Sequence, residues 1–276
     1  MRKLFLVLGD PVAHSRSPAI HARAFALLGV DAAYAPCRVA ADRLEQAVDG
    51  IRALGVDGFN VTVPHKTAVA ELVDRLHLGA ARIGAVSCVA RDGEALVGHN
   101  TDAPGLLRAL GARRIDATGR AVVVGAGGSA RAAAFALAEH ARGLTVLNRT
   151  AERARSLAQA VQAAGGRAQA AALDSPEARR ALQEAALVVH CTTVGLLDDA
   201  LPFDPALLAP GAALADLVYR GATGETALVR TARQRDLAAV DGVDVLVHQA
   251  IASLEVWLSR SQLDPLAPAL REAALA

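Results

Sequence analysis

Short apolar runs alternate with amphipathic stretches along the whole chain. Apolar runs of about five residues, as at 4–8, 59–63 and 121–125, are each followed by a segment in which apolar residues recur at helical spacing. Runs of this length, bounded by glycine, proline or polar residues, are typical of buried strands, and their alternation with helices indicates a mostly parallel sheet. The pattern therefore predicts an α/β protein.

The first hundred residues contain a first set of such elements. We predict strands at 4–8, near 33–39, at 59–63, around 85–90 and around 95–98, and helices at 18–28, about 42–54 and about 67–75. Pro18 suits the first turn of its helix, and Asp92-Gly93 indicates a hairpin turn between the last two strands. Asn100, Thr101 and Asp102 supply helix-capping side chains, so we place a domain boundary here.

The remainder of the chain repeats strand and helix more regularly. We predict strands at 121–125, 144–148, near 168–172, 187–191 and near 212–217, and helices at 129–140, 151–164, 176–185, about 224–235 and 248–258. Repeated strand and helix in this order is typical of a doubly wound, Rossmann-like sheet.

Composition and charge exclude several classes of partner. The 276 residues are 53% hydrophobic and 21% charged, and the net charge of +1 gives no field that favours nucleic acid or a membrane surface. The apolar run after Arg2-Lys3 ends at Gly9-Asp10-Pro11, which is too short for a secretory signal, and no apolar stretch is long enough to span a bilayer. Cys37, Cys88 and Cys191 are dispersed and lack CxxC spacing, which fits reduced thiols in the cytoplasm and no metal site.

The most legible motif is AVVVGAGGSAR, residues 121–131. Valine-rich strand residues lead into Gly125, Ala126, Gly127 and Gly128, and an alanine-rich helix follows. Glycines permit the sharp turn and the close approach of a pyrophosphate, whose charge the free N–H groups at the helix start attract. A glycine-rich turn can also be a plain connection between a strand and a helix, so the context decides.

The end of the next strand indicates which dinucleotide would bind. Asn148-Arg149-Thr150 stands where an NAD-binding fingerprint has an acidic residue. An arginine there can pair with a 2′-phosphate, so the triplet favours NADP over NAD. Alternatively, Asn148 and Thr150 cap the helix that starts at Ala151, and Arg149 points to solvent.

Three polar stretches follow strands of the first domain, at the strand ends where open α/β sheets bind ligands. In GDPVAHSRSP, Ser15 and Ser17 could hold a carboxylate or simply cap the next helix. In NVTVPHK, Lys66 sits on a turn fixed by Pro64, where partial burial can lower its pKa for acid-base catalysis, although a lone lysine is usually a solvated charge. In GHNTDA, Asp102 could orient Lys66 or cap a helix.

These segments resemble the quinate/shikimate dehydrogenase family over nearly the whole chain and in the same order. GDPVAHSRSPAIH resembles the substrate loop of the family, NVTVPHK the segment with its catalytic lysine and GHNTD the segment with its catalytic aspartate. GAGGSAR and NRT resemble the NADP-binding turn and 2′-phosphate clamp, and GVDVLVHQA resembles a late segment with a substrate-binding glutamine.

The resemblance implies roles for individual residues. It implies that Lys66 and Asp102 are the catalytic pair, and that His14 and His65 are structural neighbours rather than acid-base groups. The substrate-binding residues it implies are Ser15, Ser17, Thr62, Ser87, Tyr219 and Gln249, although Tyr219 as a core aromatic and Gln249 as a surface amide are alternatives. The cofactor-binding residues it implies are Gly125, Ala126, Gly127, Gly128, Ser129, Ala130, Asn148, Arg149, Thr150, Thr192, Val218 and Gly242.

It also implies a discontinuous first domain, because the helix with Gln249 and the C-terminal tail return to it. The expected substrate-binding and catalytic domain is 1–101 plus about 243–276, and the NADP-binding Rossmann domain is 102–242.

Four departures from the family pattern concern positions that line one crevice in the family. Ser87 stands in place of an asparagine, Gly221 in place of a proline and Val245 in place of a methionine, and His190-Cys191-Thr192-Thr193 replaces Asn-Ala-Thr-Ser. A serine at position 87 offers fewer hydrogen bonds and leaves space.

The expected function is reversible NADPH-dependent reduction of 3-dehydroshikimate to shikimate in aromatic amino acid biosynthesis. A family member acting on quinate or aminoshikimate is one alternative, and a non-catalytic NADPH-binding regulatory protein is another. The expected partners are a small-molecule substrate and, for the chain itself, either no subunit or a second copy in a homodimer.

Overall fold

The backbone of the computed structural model, which describes residues 2–220 and 225–276, divides into two compact units. One comprises residues 2–105 with 247–274, and the other comprises residues 106–246. The divisions fall inside two helices, Asp102–Ala112 and Gly242–Leu258.

The first unit is built on a six-stranded mixed sheet. Its strands are β1 (Lys3–Gly9), β2 (Ala32–Arg38), β3 (Gly58–Val61), β4 (Arg75–Leu76), β5 (Cys88–Asp92) and β6 (Ala95–His99). Its helices are α1 (Ser17–Leu28), α2 (Leu44–Ala53), α3 (Leu78–Ile83), the start of α4 (Asp102–Ala112), most of α9 (Gly242–Leu258) and α10 (Ala267–Leu275). The strand order is β2-β1-β3-β5-β6-β4; β3–β5 and β5–β6 pair antiparallel and the other ladders are parallel.

The predicted hairpin is confirmed, whereas the predicted helix at 67–75 is wrong. Asp92 pairs with Ala95 across the hairpin, and Gly93 adopts φ +60° in its turn. In place of the helix, a 3-10 turn at Ala68–Glu71 leads into β4, because Asp74 exchanges hydrogen bonds with the backbone of Leu96 and draws the chain onto the sheet. The short elements β4, α3 and α10 were not predicted.

The second unit is a doubly wound parallel sheet. Its strands are β7 (Arg120–Val124), β8 (Gly143–Asn148), β9 (Ala168–Ala172), β10 (Leu187–His190), β11 (Ala213–Asp216) and β12 (Ala238–Val240), and its own helices are α5 (Gly128–Ala138), α6 (Ala151–Ala163), α7 (Pro176–Glu184) and α8 (Ala227–Gln234). All ladders are parallel, in the order β12-β11-β10-β7-β8-β9. The predicted α/β class with a Rossmann-like domain is confirmed.

Two late elements differ from the sequence prediction. The helix expected at 248–258 begins six residues earlier, because the Asp241 carboxylate accepts hydrogen bonds from the N–H groups of Val243 and Asp244 and so starts α9 at Gly242. Strand β12 was not predicted, since Ala238–Val240 is too short to give a periodic signal.

Each unit has its own hydrophobic core. In the second unit, Val122, Leu147 and Val188 of the sheet pack with Leu182 and Leu228 of the covering helices. In the first unit, residues of β3, β5 and β6 pack against α2. Within the described ranges, no helix combines the length and the apolar character that a bilayer span requires.

Candidate active site

Lys66 and Asp102 form a buried ion pair in the first unit. The Lys66 Nζ lies 2.5 Å from Asp102 Oδ2, and the two residues are 8% and 4% exposed. Lys66 is on the turn after β3, where its backbone carbonyl accepts a hydrogen bond from the Val86 N–H at 2.7 Å, and Asp102 is the first residue of α4. The fold thus brings together two residues that are 36 positions apart.

Neighbouring side chains hold the lysine turn and the start of α4 in place. His65 Nε2 donates a hydrogen bond to the Val39 carbonyl at 2.7 Å, which ties the turn to the end of β2. Asn100 Oδ1 accepts a hydrogen bond from the Ala103 N–H at 3.1 Å. Asn100 therefore satisfies the helix start, and the alternative in which Asp102 merely caps the helix is wrong.

Lysine is rare in this chain. The motifs alone do not use this rarity, although it bears on the choice of Lys66 as an acid-base residue. Of the 29 basic residues, Lys3 and Lys66 are the only lysines. Arginine cannot release its proton in a protein, whereas lysine can. A lysine at position 66, in a sequence whose other basic residues are arginines apart from Lys3, is compatible with proton transfer there.

Three of the predicted substrate-binding residues carry unpaired polar groups. The hydroxyls of Ser17 and Thr62 and the amide of Gln249 make no hydrogen bond with any residue in the described part of the chain. A Cβ on Gly105 would lie 2.6 Å from Gln249 Cγ and 2.8 Å from its backbone N, so only glycine lets α4 approach α9 here. Ser15 differs, because its Oγ accepts the Ser17 N–H at 3.3 Å.

Ser87 is already bonded within the protein. It is 3% exposed, its Oγ accepts the Thr101 N–H at 2.8 Å, and the two hydroxyl oxygens lie 3.1 Å apart. Thr101 Oγ1 in turn lies 3.2 Å from the Ser253 hydroxyl, which donates to the Gln249 carbonyl. Next to Ser87, burial raises the pKa of the Cys88 thiol to about 12, so this thiol stays protonated.

The glycine turn of the second unit has the form of a dinucleotide site. Gly125 adopts φ +122°, and a Cβ there would press against Cys191 and Thr192 at 3.2–3.3 Å. Gly127 is exposed, and a Cβ there would have no atom within 4 Å, so the backbone is open to a ligand. The N-cap residue of α5 is Gly127, which has no side chain to cap the helix, and the N–H groups at a helix start attract an anion.

The triplet after β8 leaves its arginine available. Asn148 Nδ2 donates to the Thr150 carbonyl at 3.0 Å, and Thr150 precedes α6 without a side-chain cap bond. The capping alternative for these two side chains is therefore wrong. Arg149 is exposed and makes no hydrogen bond or ion pair with the described residues.

The sequence reading missed Arg153, in the first turn of α6. Arg153 is exposed, and its side chain also has no partner among the described residues. A cation at a helix N-terminus is opposed by the helix dipole, so an arginine there is a signal for an anionic ligand.

The other predicted residues lie in the same unit as the glycine turn. Thr192 follows β10, and its Oγ1 lies 2.5 Å from His190 Nε2. Gly242 packs so closely on the turn after β11 that a Cβ would lie 2.4 Å from the Val218 carbonyl oxygen and 2.8 Å from the Tyr219 N. Val245, at the position of the expected methionine, is buried in α9, and Gly221 lies outside the described residues.

A parallel doubly wound sheet with a glycine turn, together with a buried lysine–aspartate pair, defines a nicotinamide-dependent dehydrogenase. Two family models match the chain, one described as the shikimate dehydrogenase substrate binding domain at residues 7–89 and the other as shikimate/quinate 5-dehydrogenase at residues 110–195. A shikimate dehydrogenase (NADP(+)) from Symbiobacterium thermophilum is 46% identical over 262 residues, which cover 92% of this chain and 88% of that protein. The chain belongs to the shikimate dehydrogenase family.

Solved structures extend the similarity to the whole fold. The shikimate 5-dehydrogenase from Thermus thermophilus in complex with NADP(H) and shikimate is 37% identical, with a TM-score of 0.87, over 99% of this chain and 98% of that one. The ligand-free 5-ketofructose reductase of Gluconobacter sp. strain CHM43 is 30% identical, with a TM-score of 0.85, over 99% and 98% of the two chains.

Proposed function

We propose that the protein catalyses the reversible NADPH-dependent reduction of 3-dehydroshikimate to shikimate. The observation that carries this proposal is the buried ion pair between Lys66 Nζ and Asp102 Oδ2. Interconversion of a ketone and an alcohol needs a proton donor and acceptor at a fixed position, and a lysine held by a carboxylate away from bulk water is such a group.

Each member of the pair has a separate task. NADPH, when bound, supplies the hydride that reduces the ring carbonyl. Lys66 donates a proton to the carbonyl oxygen as the alcohol forms, and it takes this proton back in the reverse direction. Asp102 keeps Nζ in one place, because its Oδ2 lies 2.5 Å from Nζ and both side chains are buried. A non-catalytic NADPH sensor would not need this pair.

Polar groups of the first unit would hold the ring acid. We assign Ser15 and Ser17 to the substrate carboxylate, Thr62 and Gln249 to ring hydroxyls, and Tyr219 to the carboxylate end. The hydroxyls of Ser17 and Thr62 and the amide of Gln249 support this assignment, because they have no partner within the described ranges and are available to a ligand. A direct contact from Ser87 stays a prediction, since its hydroxyl is engaged with Thr101.

NADP(H) would bind on the second unit. The glycine turn and the start of α5 would hold the pyrophosphate, and Asn148, Arg149 and Thr150, with Arg153, would hold the 2′-phosphate. We assign the remaining contacts to Thr192, Val218 and Gly242. The glycine N-cap of α5 supports this placement, and so do Arg149 and Arg153, whose side chains have no partner among the described residues.

Arg149→Ala is expected to raise the KM for NADPH roughly 10- to 50-fold, because a charge-assisted hydrogen bond to the 2′-phosphate is lost. The KM for NADH should change less than about 3-fold, because NADH lacks that phosphate. Steady-state kinetics with both cofactors measure the difference. Arg142 is the matched control, since it is exposed just before β8 whereas Arg149 is exposed just after it. Equal losses with NADPH and NADH would contradict the assignment.

A substrate panel tests the function itself. We expect turnover of shikimate with NADP to exceed that of quinate and aminoshikimate, and turnover with NADP to exceed that with NAD. Ser87 is the reason to test the other ring acids. Its side chain is short and its hydroxyl accepts the Thr101 N–H, so it leaves space that a differently substituted ring could occupy. Faster turnover of quinate or aminoshikimate would reassign the substrate, and tight NADPH binding with no turnover would indicate a regulatory protein.

We also propose a role for each domain, a cytoplasmic location, and assembly as either a monomer or a homodimer. Residues 1–101 plus about 243–276 would form the substrate-binding and catalytic domain, and residues 102–242 the NADP-binding domain. The three cysteines are free thiols, which supports a reducing cytoplasm. Light scattering would distinguish a monomer from a homodimer.

A further inference from the structure

His190, one of the departures from the family pattern, lies at the centre of a buried hydrogen-bonded chain. It is the last residue of β10, in register with Val124 of β7 on one side and Asp216 of β11 on the other. His190 and Asp216 are both 0% exposed. The imidazole thus lies between the strand that leads into the glycine turn and a buried carboxylate.

The partners of Asp216 fix the proton on one ring nitrogen. Asp216 Oδ1 accepts the Val218 N–H at 3.0 Å, and Oδ2 accepts the Thr226 hydroxyl at 2.6 Å. Both oxygens are therefore acceptors, so His190 Nδ1, which is 2.8 Å from Oδ1, carries a hydrogen and donates it. With this one hydrogen on the ring, Nε2 is a lone-pair acceptor.

Nε2 of His190 can then accept a hydrogen bond from the Thr192 hydroxyl. His190 Nε2 is 2.5 Å from Thr192 Oγ1, and the same Oγ1 accepts the Val194 N–H at 3.2 Å. A hydroxyl has one hydrogen and two lone pairs. In this tautomer the hydrogen of Thr192 points to His190, and one lone pair of Oγ1 remains for a ligand.

We infer that His190 is a positioning residue for the cofactor, which makes Thr192 a hydrogen-bond acceptor toward the bound dinucleotide. Thr192 packs against the glycine turn, since a Cβ on Gly125 would lie 3.3 Å from Thr192 Cγ2. Such a hydroxyl receives an N–H or O–H from the carboxamide or a ribose, and it does not donate to a phosphate oxygen. The inference rests on the proposed function, because it requires that NADP(H) bind this unit.

A double-mutant cycle on His190→Asn and Thr192→Val tests the inference. In H190N the amide keeps a donor for Asp216 but is too short to reach Thr192, and T192V removes the hydroxyl at nearly constant volume. We expect each variant to raise the Kd for NADPH, measured by fluorescence titration, roughly 3- to 10-fold, and the double variant to be no weaker than either single variant. The KM for the ring acid should stay unchanged, which a general loss of structure would not allow.

The direction of the H190N effect separates the two possible roles of Thr192. If Thr192 donated to a phosphate, H190N would release its hydrogen and strengthen NADPH binding. Tighter binding, or additive losses in the double variant, would overturn the inference. Should H190N fail to fold, an unchanged Kd in T192V alone would overturn it as well. Failure of the wild-type protein to bind NADPH would instead overturn the proposed function.

With the 3-acetylpyridine analogue of NADP, which lacks the carboxamide N–H, the T192V loss should disappear if the donor is the carboxamide. The loss should persist if the donor is a ribose hydroxyl. An analogue that binds T192V more tightly than wild type would contradict the acceptor role.

Discussion

Lys66→Met is expected to lower kcat by a factor on the order of 10² or more while leaving the Kd for NADPH nearly unchanged. A positioned acid-base group contributes about 10² to 10⁴ in rate, and methionine keeps the length of the side chain without its proton. Lys66→Arg is expected to be as inactive as Lys66→Met, because arginine can keep the pair with Asp102 but does not release its proton. Steady-state kinetics and NADPH fluorescence titration measure the two quantities.

The chain provides its own control for this experiment. Lys3 is the other lysine, it is exposed, and Lys3→Met should leave kcat unchanged. Loss of Lys66 leaves Asp102 buried without its cation, which costs stability, so the thermal midpoint of each variant is measured first. Folded Lys66→Arg with near-normal kcat would show that charge pairing, rather than proton transfer, is what Lys66 supplies.

Acidification is expected to destabilise the first unit through His21. His21 is 1% exposed, and its ring centroid lies 4.1 Å from that of Tyr34 in a stacked arrangement. Its Nδ1 donates a hydrogen bond to the Ser17 carbonyl at 2.8 Å. Its Nε2 is buried and has no hydrogen-bond partner in the described chain. Burial lowers the pKa of His21 from 6.5 to about 4, with the bond to Ser17 opposing the shift in part. A second proton on this ring would be buried without an acceptor.

The direction of this pH dependence follows from the pH at which the folded and the unfolded chain each bind the proton. The unfolded chain protonates His21 near its ordinary pKa of 6.5, whereas the folded chain does so only near 4. Stability linked to His21 is therefore fully present above pH 6.5 and is lost as the pH falls toward 4, to a total of about 3 kcal/mol. Between about pH 7 and about pH 5 the loss should be about 2 kcal/mol.

Trp257 reports this loss directly. It is the only tryptophan, and its ring centroid lies 5.4 Å from that of His21, so urea unfolding followed by its fluorescence measures the unit that holds His21. His21→Phe should remove the His21 contribution, and His140→Gln, at an exposed histidine of the other unit, should retain it. An identical pH dependence in wild type and His21→Phe would contradict the shifted pKa.

The elements that sequence reasoning found best are those whose signal is local. The strand and helix around Gly125 and the triplet ending in Thr150 follow from short-range periodicity and from the backbone freedom of glycine. The helix expected at 67–75 failed for the opposite reason. Its sequence is compatible with a helix, but Asp74 finds partners on Leu96, 22 residues away, and tertiary pairing overrides local preference.

Candidate chemistry could be read from the sequence, whereas side-chain partnerships could not. Motif order picked out Lys66 and Asp102, but the structure decided that Asn100 satisfies the helix start and leaves Asp102 to the lysine. Similarly, Ser87 was predicted as a substrate contact, and only the structure shows its hydroxyl engaged with Thr101.

The sequence by itself determined the α/β class, the doubly wound arrangement, the glycine turn and the identity of the candidate acid-base residues. The fold class follows from the periodicity of apolar residues. The glycine turn and the candidate acid-base residues follow from residue types at particular positions in short motifs. The tertiary structure alone decided that His190 lies between Val124 and Asp216 and that its Nε2 is within hydrogen-bond distance of the Thr192 hydroxyl. Strand order is set by crossovers and core packing over long sequence separations, and no local pattern records which strands become neighbours.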